Sequence, residues 1–325
     1  MIGKNRWVII SGILVLILVL GFVFASLLLQ PELKFSLAAA IIDQLGADFP
    51  NQSFLSNVTS TLSSHGFSVA YYNQTLNVNF FRDLANSNCG LIILRVHSAL
   101  RNDSSTIDLF TSERYVPGVH DQELDNGLLT LGEFYYKPDE EYFALSSLFI
   151  KNLAGRFPSS IVIAMGCQSL KPGCEQMAQA FLDKGAKAYI GWSDVVFPQD
   201  TDNETMRLIS MLLEENQTIG DAARATSPHT YSGTPYPHST EIINVTSYMR
   251  VYPQSNEHLT ISQLVAESGD STKSSTSSNV AILSICFTLG TSRNKRPSRR
   301  KNGLGNQFFV TSRNCDIKLV SKAIT

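Results

Sequence analysis

Cysteine is scarce in this chain, with five in 325 residues: Cys89, Cys167, Cys174, Cys286 and Cys315. An odd and sparse count excludes a disulfide scaffold. No Cys/His cluster has metal-ligand spacing, so no metal site is read from the sequence. His229 and His238 share a stretch rich in Pro, Tyr and Ser and read as a surface loop. Positive charge is short in the middle of the chain, where residues 30–290 carry 15 Lys and Arg against 27 Asp and Glu. That acidic balance argues against nucleic acid and anionic lipid as partners. Charge of either sign is missing from Trp7 to Leu29.

That uncharged run holds 23 residues rich in Ile, Leu, Val and Phe. About 20 apolar residues cross a bilayer, so the run predicts one membrane-spanning helix with room for tilt. Lys4 and Arg6 precede it, and the next charge is Glu32. The positive-inside bias puts the N-terminus in the cytoplasm and the remainder across the cell membrane. A cleaved signal peptide is the competing reading. It would have a shorter apolar core and a better cleavage site than Ala25-Ser26. Seven sequons, at Asn51, Asn57, Asn73, Asn102, Asn203, Asn216 and Asn244, fit an extracytoplasmic glycoprotein.

Beyond residue 30 the pattern alternates strand and helix. Strands are expected at Phe35–Ile42, Phe67–Tyr72, Cys89–His97, Ile161–Met165 and Ala186–Trp192. Helices are expected at Phe54–Ser64, Val78–Asn86, Glu141–Leu153, Glu175–Lys184, Asp202–Glu215 and Ile219–Thr226. Such alternation predicts an α/β domain with a largely parallel sheet flanked by helices. Residues 104–136 break the alternation and read as an inserted hairpin with long loops. Their tyrosines, like Tyr71 and Tyr72, suit a strand surface and need no special role. From Ser227 the prolines argue for loop and edge structure. The organisation is therefore residues 1–30 as anchor, 31–268 as the domain, 269–279 as a Ser/Thr-rich linker and 280–325 as a tail. The tail joins a ten-residue apolar run, Val280–Leu289, to a basic cluster, Arg293–Lys301. A disordered basic tail is the favoured reading. Half of a second span, or a reading frame shifted near residue 280, would look similar.

Ligands of parallel sheets bind outside the carboxyl ends of the strands. The third expected strand ends at His97 and the fourth at Cys167. A thiolate is a nucleophile, and a neighbouring imidazole takes its proton and returns it to a leaving group. Gly166 lets the backbone turn sharply there, and the amides that follow can face an oxyanion. Trp192 and Asp194, after the fifth strand, are candidates to line a substrate pocket. Asp200 and Asp202 lie close by, and a carboxylate lining a pocket pairs with Lys or Arg. The bland alternatives are a buried apolar cysteine, a structural histidine, a core tryptophan and a capping aspartate. Arg95, inside a buried strand, needs a carboxylate, with Asp108 or Glu113 as candidates. Cys167 and Cys174 are close enough in sequence to form a disulfide that would mask the nucleophile.

The segments IILRVHSAL (Ile92–Leu100) and IVIAMGCQS (Ile161–Ser169) resemble the two signatures of the caspase-like cysteine peptidases, a group with caspases, gingipain, separase and the CHAT domains. Gly-Cys-x-Ser is closest to separase, while EQMAQAFLDKGAKAYIGWSDVV (Glu175–Val196), DTDNETMRLISMLL and TIGDAARAT are similar to CHAT sequences. The resemblance covers roughly residues 35–226. It implies a caspase-like three-layer sandwich with the histidine after the third strand and the cysteine after the fourth. It also implies His97 as general base, Cys167 as nucleophile, and a peptide or protein as substrate. Ser98 departs from the family, which usually has Gly after the histidine to let a backbone amide approach the substrate. A catalytically inactive surface domain that binds a partner is the rival expectation.

Overall fold

A computed structural model describes residues 14–21, 33–74, 76–101, 105–134, 136–233, 242–269 and 317–319. The chain divides into Met1–Leu33 and Lys34–Thr325. Most of the expected span lies outside the described residues. The part within them, 14–21, is helical and exposed. Among the described residues no helix is long and apolar enough to cross a membrane.

The second unit is α/β. Its main sheet has six strands. They are β1 (Ala38–Asp43), β2 (Ser68–Tyr72), β3 (Leu91–Arg95), β8 (Ile161–Ala164), β9 (Ala188–Trp192) and β12 (Met249–Tyr252). Their order is β12-β9-β8-β3-β1-β2, with every neighbouring pair parallel except β12 with β9. Strand β3 is buried throughout its LIILR sequence, as expected where helices cover both faces. One face packs against α1 (Gln52–Ser64), α6 (Pro198–Leu213), α7 (Ile219–Ala225) and α8 (Ile261–Ser268). The other packs against α2 (Val78–Arg82), α4 (Ser147–Lys151) and α5 (Gln176–Asp183). Helix α1 shows why these segments fold. Asn51 caps it by accepting from the Phe54 amide at 3.0 Å, and Phe54, Val58 and Leu62 form its buried stripe. Each such side chain stabilises the fold by roughly 1.5–3 kcal/mol.

The insertion between β3 and β8 is a second sheet rather than a hairpin. It contains β4 (Ser98–Leu100), β5 (Ile107–Arg114), β6 (Leu129–Phe134) and β7 (Glu141–Leu145), with a short helix α3 (Asp121–Asp125) before β6. Its order is β13-β6-β7-β5-β4, where β13 is Ile317–Leu319, paired antiparallel with β6. Those three residues are the described part of a tail expected to be disordered. The helix expected over Glu141–Leu153 is instead strand β7 followed by α4. β7 is flanked by β5 and β6, and Ser146 caps α4 by accepting from the Phe149 amide at 3.3 Å. Beyond Ser227, where loop and edge structure were expected, lie the hairpin β10 (His229–Gly233) with β11 (Ile243–Ser247), the edge strand β12, and, not expected, α8 with a Thr260/Gln263 capping box.

A buried ion cluster ties the carboxyl edge of the sheet together. Arg95, at the end of β3, is 1% exposed. Its Nε and Nη2 donate to the two oxygens of Asp202 on α6 at 2.7 and 2.8 Å, and its Nη1 donates to Asp43 at 2.6 Å. Nη2 also donates to the Phe49 carbonyl at 2.7 Å. The carboxylate that Arg95 required is thus supplied by Asp43 and Asp202. Asp108 instead accepts from Arg101 and Thr130, and Glu113 accepts from the Val78 amide and contacts His120. Burial opposes the guanidinium charge, and the two aspartates outweigh it, raising its pKa. Asp202→Ala leaves a buried cation half-compensated and should cost about 3–5 kcal/mol in urea unfolding. Asp183→Ala, at the exposed pair 3.7 Å from Lys151, should move the midpoint little.

Candidate active site

The order of strands reverses between β1 and β3, the switch point where α/β sheets place ligands. His97 and Cys167 follow two neighbouring strands, β3 and β8, at this edge. Their backbones interlock. The Met165 amide donates to Leu94 O at 2.9 Å, and Ser98 Oγ donates to Cys167 O at 2.6 Å. Gly166 is required by this approach. A Cβ there would collide with Ser98 Oγ and stand 2.6 Å from Val96 O. Ser98, where caspase-like sequences usually have Gly, therefore spends its hydroxyl on the cysteine loop.

The two side chains point to different partners. Cys167 is 6% exposed, and its Sγ donates to Val196 O at 3.3 Å. His97 Nε2 is 2.9 Å from the Tyr136 hydroxyl, and the ring packs on Phe134 and Phe49 with centroids 4.7 and 6.2 Å away. The His97 amide donates to Gln44 Oε1 at 2.9 Å. The strand ends bring together the histidine and cysteine segments, and no hydrogen bond joins the two side chains. Gln168, the residue after the cysteine, has φ 58, a left-handed conformation that a non-glycine side chain rarely adopts. Its amide donates to Asp194 O at 2.9 Å and its side chain bonds Leu100 N and Asp194, which holds the turn.

The remaining candidates are committed elsewhere. Trp192 is fully buried, with Nε1 donating to Thr201 Oγ1 at 2.8 Å, so it lines the core and not a pocket. Asp194 is paired with Lys171 at 2.8 Å and caps its own loop through the Val195 amide at 2.9 Å. A basic substrate side chain would compete with Lys171 there. Among the described residues there is no disulfide, and Cys89, Cys167 and Cys174 are buried thiols. Among them too no group of three His, Cys, Asp or Glu side chains is arranged to hold a metal ion. His229, expected on a surface loop, is instead buried with Nδ1 2.9 Å from Asp200. Of the sequon asparagines, Asn57, Asn73, Asn203, Asn216 and Asn244 are exposed, while Asn51 is half-buried with Nδ2 donating to Asp202 at 2.9 Å. Asn102 lies outside the described residues.

The residues that sequence reasoning missed are those around His97: Gln44, Asp48, Tyr136 and Lys137. Two come from the segment after β1 and two from the turn after β6, which no local motif joins. No family model and no curated protein matches the chain.

Burial holds the His97 pKa down to about 3, against a smaller upward pull from Asp48. The folded protein thus keeps this ring neutral, whereas the unfolded chain protonates it near pH 6.5. The linkage is therefore absent above pH 6.5. Below it, acid favours the unfolded state by about 1.4 kcal/mol per pH unit until the folded pKa is reached. His97→Gln should remove that slope. The stability difference between wild type and variant, from urea unfolding at each pH, should shift by about 2 kcal/mol between pH 6.5 and pH 5.

Proposed function

We propose that the chain is a membrane-anchored, extracytoplasmic cysteine peptidase-like protein built on a caspase-like three-layer sandwich. Cys167 is the nucleophile and His97 the general base, and a peptide or protein is the substrate. One observation carries this reading: the third and fourth strands of the parallel sheet end side by side in His97 and Cys167, stitched by the 2.6 Å bond from Ser98 to the cysteine carbonyl. The strained backbone at Gln168, next to the thiol, supports it. Strain is commonly kept where a fold presents a reacting group. The anchor rests on the uncharged run Trp7 to Leu29 and its flanking Lys4 and Arg6.

In this reading the chemistry needs no cofactor. The Cys167 S–H bond breaks as His97 takes the proton, and the thiolate attacks the peptide carbonyl carbon. The C–N bond then breaks while His97 returns the proton to the departing amine, and water hydrolyses the thioester. Substrate binding has to draw the thiol from Val196 O toward the imidazole. Catalytic contacts of this kind often tighten only in the bound complex.

The second reading is a catalytically silent surface domain that binds a partner. It is favoured by the thiol's bond to Val196 O and the imidazole's bond to Tyr136. Iodoacetamide at neutral pH separates the two. The peptidase reading expects fast alkylation of Cys167, slowed about a hundredfold by His97→Asn. Slow alkylation indifferent to His97 supports the silent domain.

A further inference from the structure

Tyr136 sits on the turn between β6 and β7, in the inserted sheet, and reaches the segment that follows β1. Its hydroxyl lies 2.9 Å from His97 Nε2 and donates to Asp48 Oδ2 at 3.2 Å. Lys137, the next residue, holds the same Asp48 oxygen at 2.6 Å. An ionised carboxylate only accepts hydrogen bonds, so the hydroxyl proton belongs to Asp48. The tyrosine oxygen then receives the proton of His97 Nε2–H. In a neutral imidazole this leaves the lone pair on Nδ1. Among the described residues no group hydrogen-bonds Nδ1. Phe134 and Phe49 hold the ring from two sides, and Phe49 also packs edge-on against Tyr136 with centroids 5.5 Å apart.

We infer that Tyr136, backed by Asp48 and Lys137, is the positioning residue of His97: it fixes the Nε2–H tautomer and leaves Nδ1 as the nitrogen that takes the Cys167 proton. The role of Nδ1 rests on the peptidase reading, while the tautomer rests on the hydrogen-bond chain alone. When the Sγ–H bond breaks and the Nδ1–H bond forms, the ring becomes an imidazolium in a buried site. The Asp48 carboxylate, one hydroxyl away, favours that charge, while Lys137, paired with Asp48, and Arg95 oppose it. A base oriented by a third group is the general design of an activated nucleophile. Here that group comes from the insertion, so the β6–β7 turn belongs to the catalytic architecture and not only to the surface.

The test uses the full chain in detergent micelles and two readouts. Nitrogen-15 NMR of the imidazoles reports the His97 tautomer. Mass-spectrometric rates of iodoacetamide addition at Cys167 report the base. Tyr136→Phe keeps the ring and its packing and removes the hydroxyl. The expected result is an Nε2–H tautomer in the wild type and mixed tautomers in Tyr136→Phe, with alkylation about tenfold slower. Asp48→Asn, a second variant that keeps the ring cluster, should slow alkylation less. Combining Tyr136→Phe with His97→Asn should be no slower than His97→Asn alone, because one residue acts through the other. An Nδ1–H tautomer in the wild type overturns the inference. So does a Tyr136→Phe thiol that reacts at the wild-type rate or faster while His97→Asn is slow, and in that case the peptidase reading stands. A rate indifferent to both substitutions overturns the peptidase reading, and the role given to Nδ1 with it.

Discussion

The carboxyl edge of this domain depends on one buried cation. Arg95 cannot stay in the interior without partners. It takes them from the end of β1, the segment after β1, and the first turns of α6. Asp202 in turn holds Asn51, the cap of α1, and Asp43 accepts from Tyr71 at the end of β2. The stretch from Asp43 to Asn51, Tyr71 of β2 and Asp202 of α6 are thus tied, directly or through one aspartate, to one guanidinium. Replacing the cluster with apolar side chains could leave the stability similar, since buried ion pairs contribute little net energy. What the cluster supplies is geometry. It fixes where β3 ends, and so where the chain turns into the histidine segment two residues later.

From that fixed point the site is laid out by short backbone links. Gln44 accepts from the His97 amide and its own amide donates to Arg95 O at 3.0 Å, so the histidine backbone is held from the β1 side. Ser98 holds it from the cysteine side. The inserted sheet then closes over the imidazole with Phe134 and Tyr136. With the imidazole held in this way, the thiol of Cys167 is the part that has to move in the peptidase reading. The low pKa of His97 is the electrostatic record of that enclosure. The ring is neutral, but a pKa of about 3 makes it a weak base, so the peptidase reading requires substrate binding to raise it.

The helices and the five parallel strands were legible because each carries its own period and its own caps, as in Phe54, Val58 and Leu62 behind Asn51. The segment EYFAL was not. Its apolar residues suit a helix as well as a strand, and only pairing on both sides makes it β7. The start of α6 at Pro198 was missed although Pro at the first helical position is a start signal. The capping box of α8 was overlooked because the region from Ser227 was read as loop and edge from its four prolines. At the site, the histidine and cysteine segments could be found because each ends an apolar strand. The need of Arg95 for a carboxylate followed from burial, but not which one, since Asp202 is 107 residues away. Tyr136 and Asp48 carry no local signal at all, because their role exists only once β1 and the insertion meet.

The central claim is that Cys167 is a nucleophile and not merely a buried thiol. A peptide bearing an electrophilic ketone, reacted with the full chain and mapped by mass spectrometry, tests it most directly. The account predicts a covalent adduct on Cys167, absent from Cys89 and Cys174 and lost in His97→Asn. Adduct spread equally over the three buried thiols, or found only after unfolding, would contradict it.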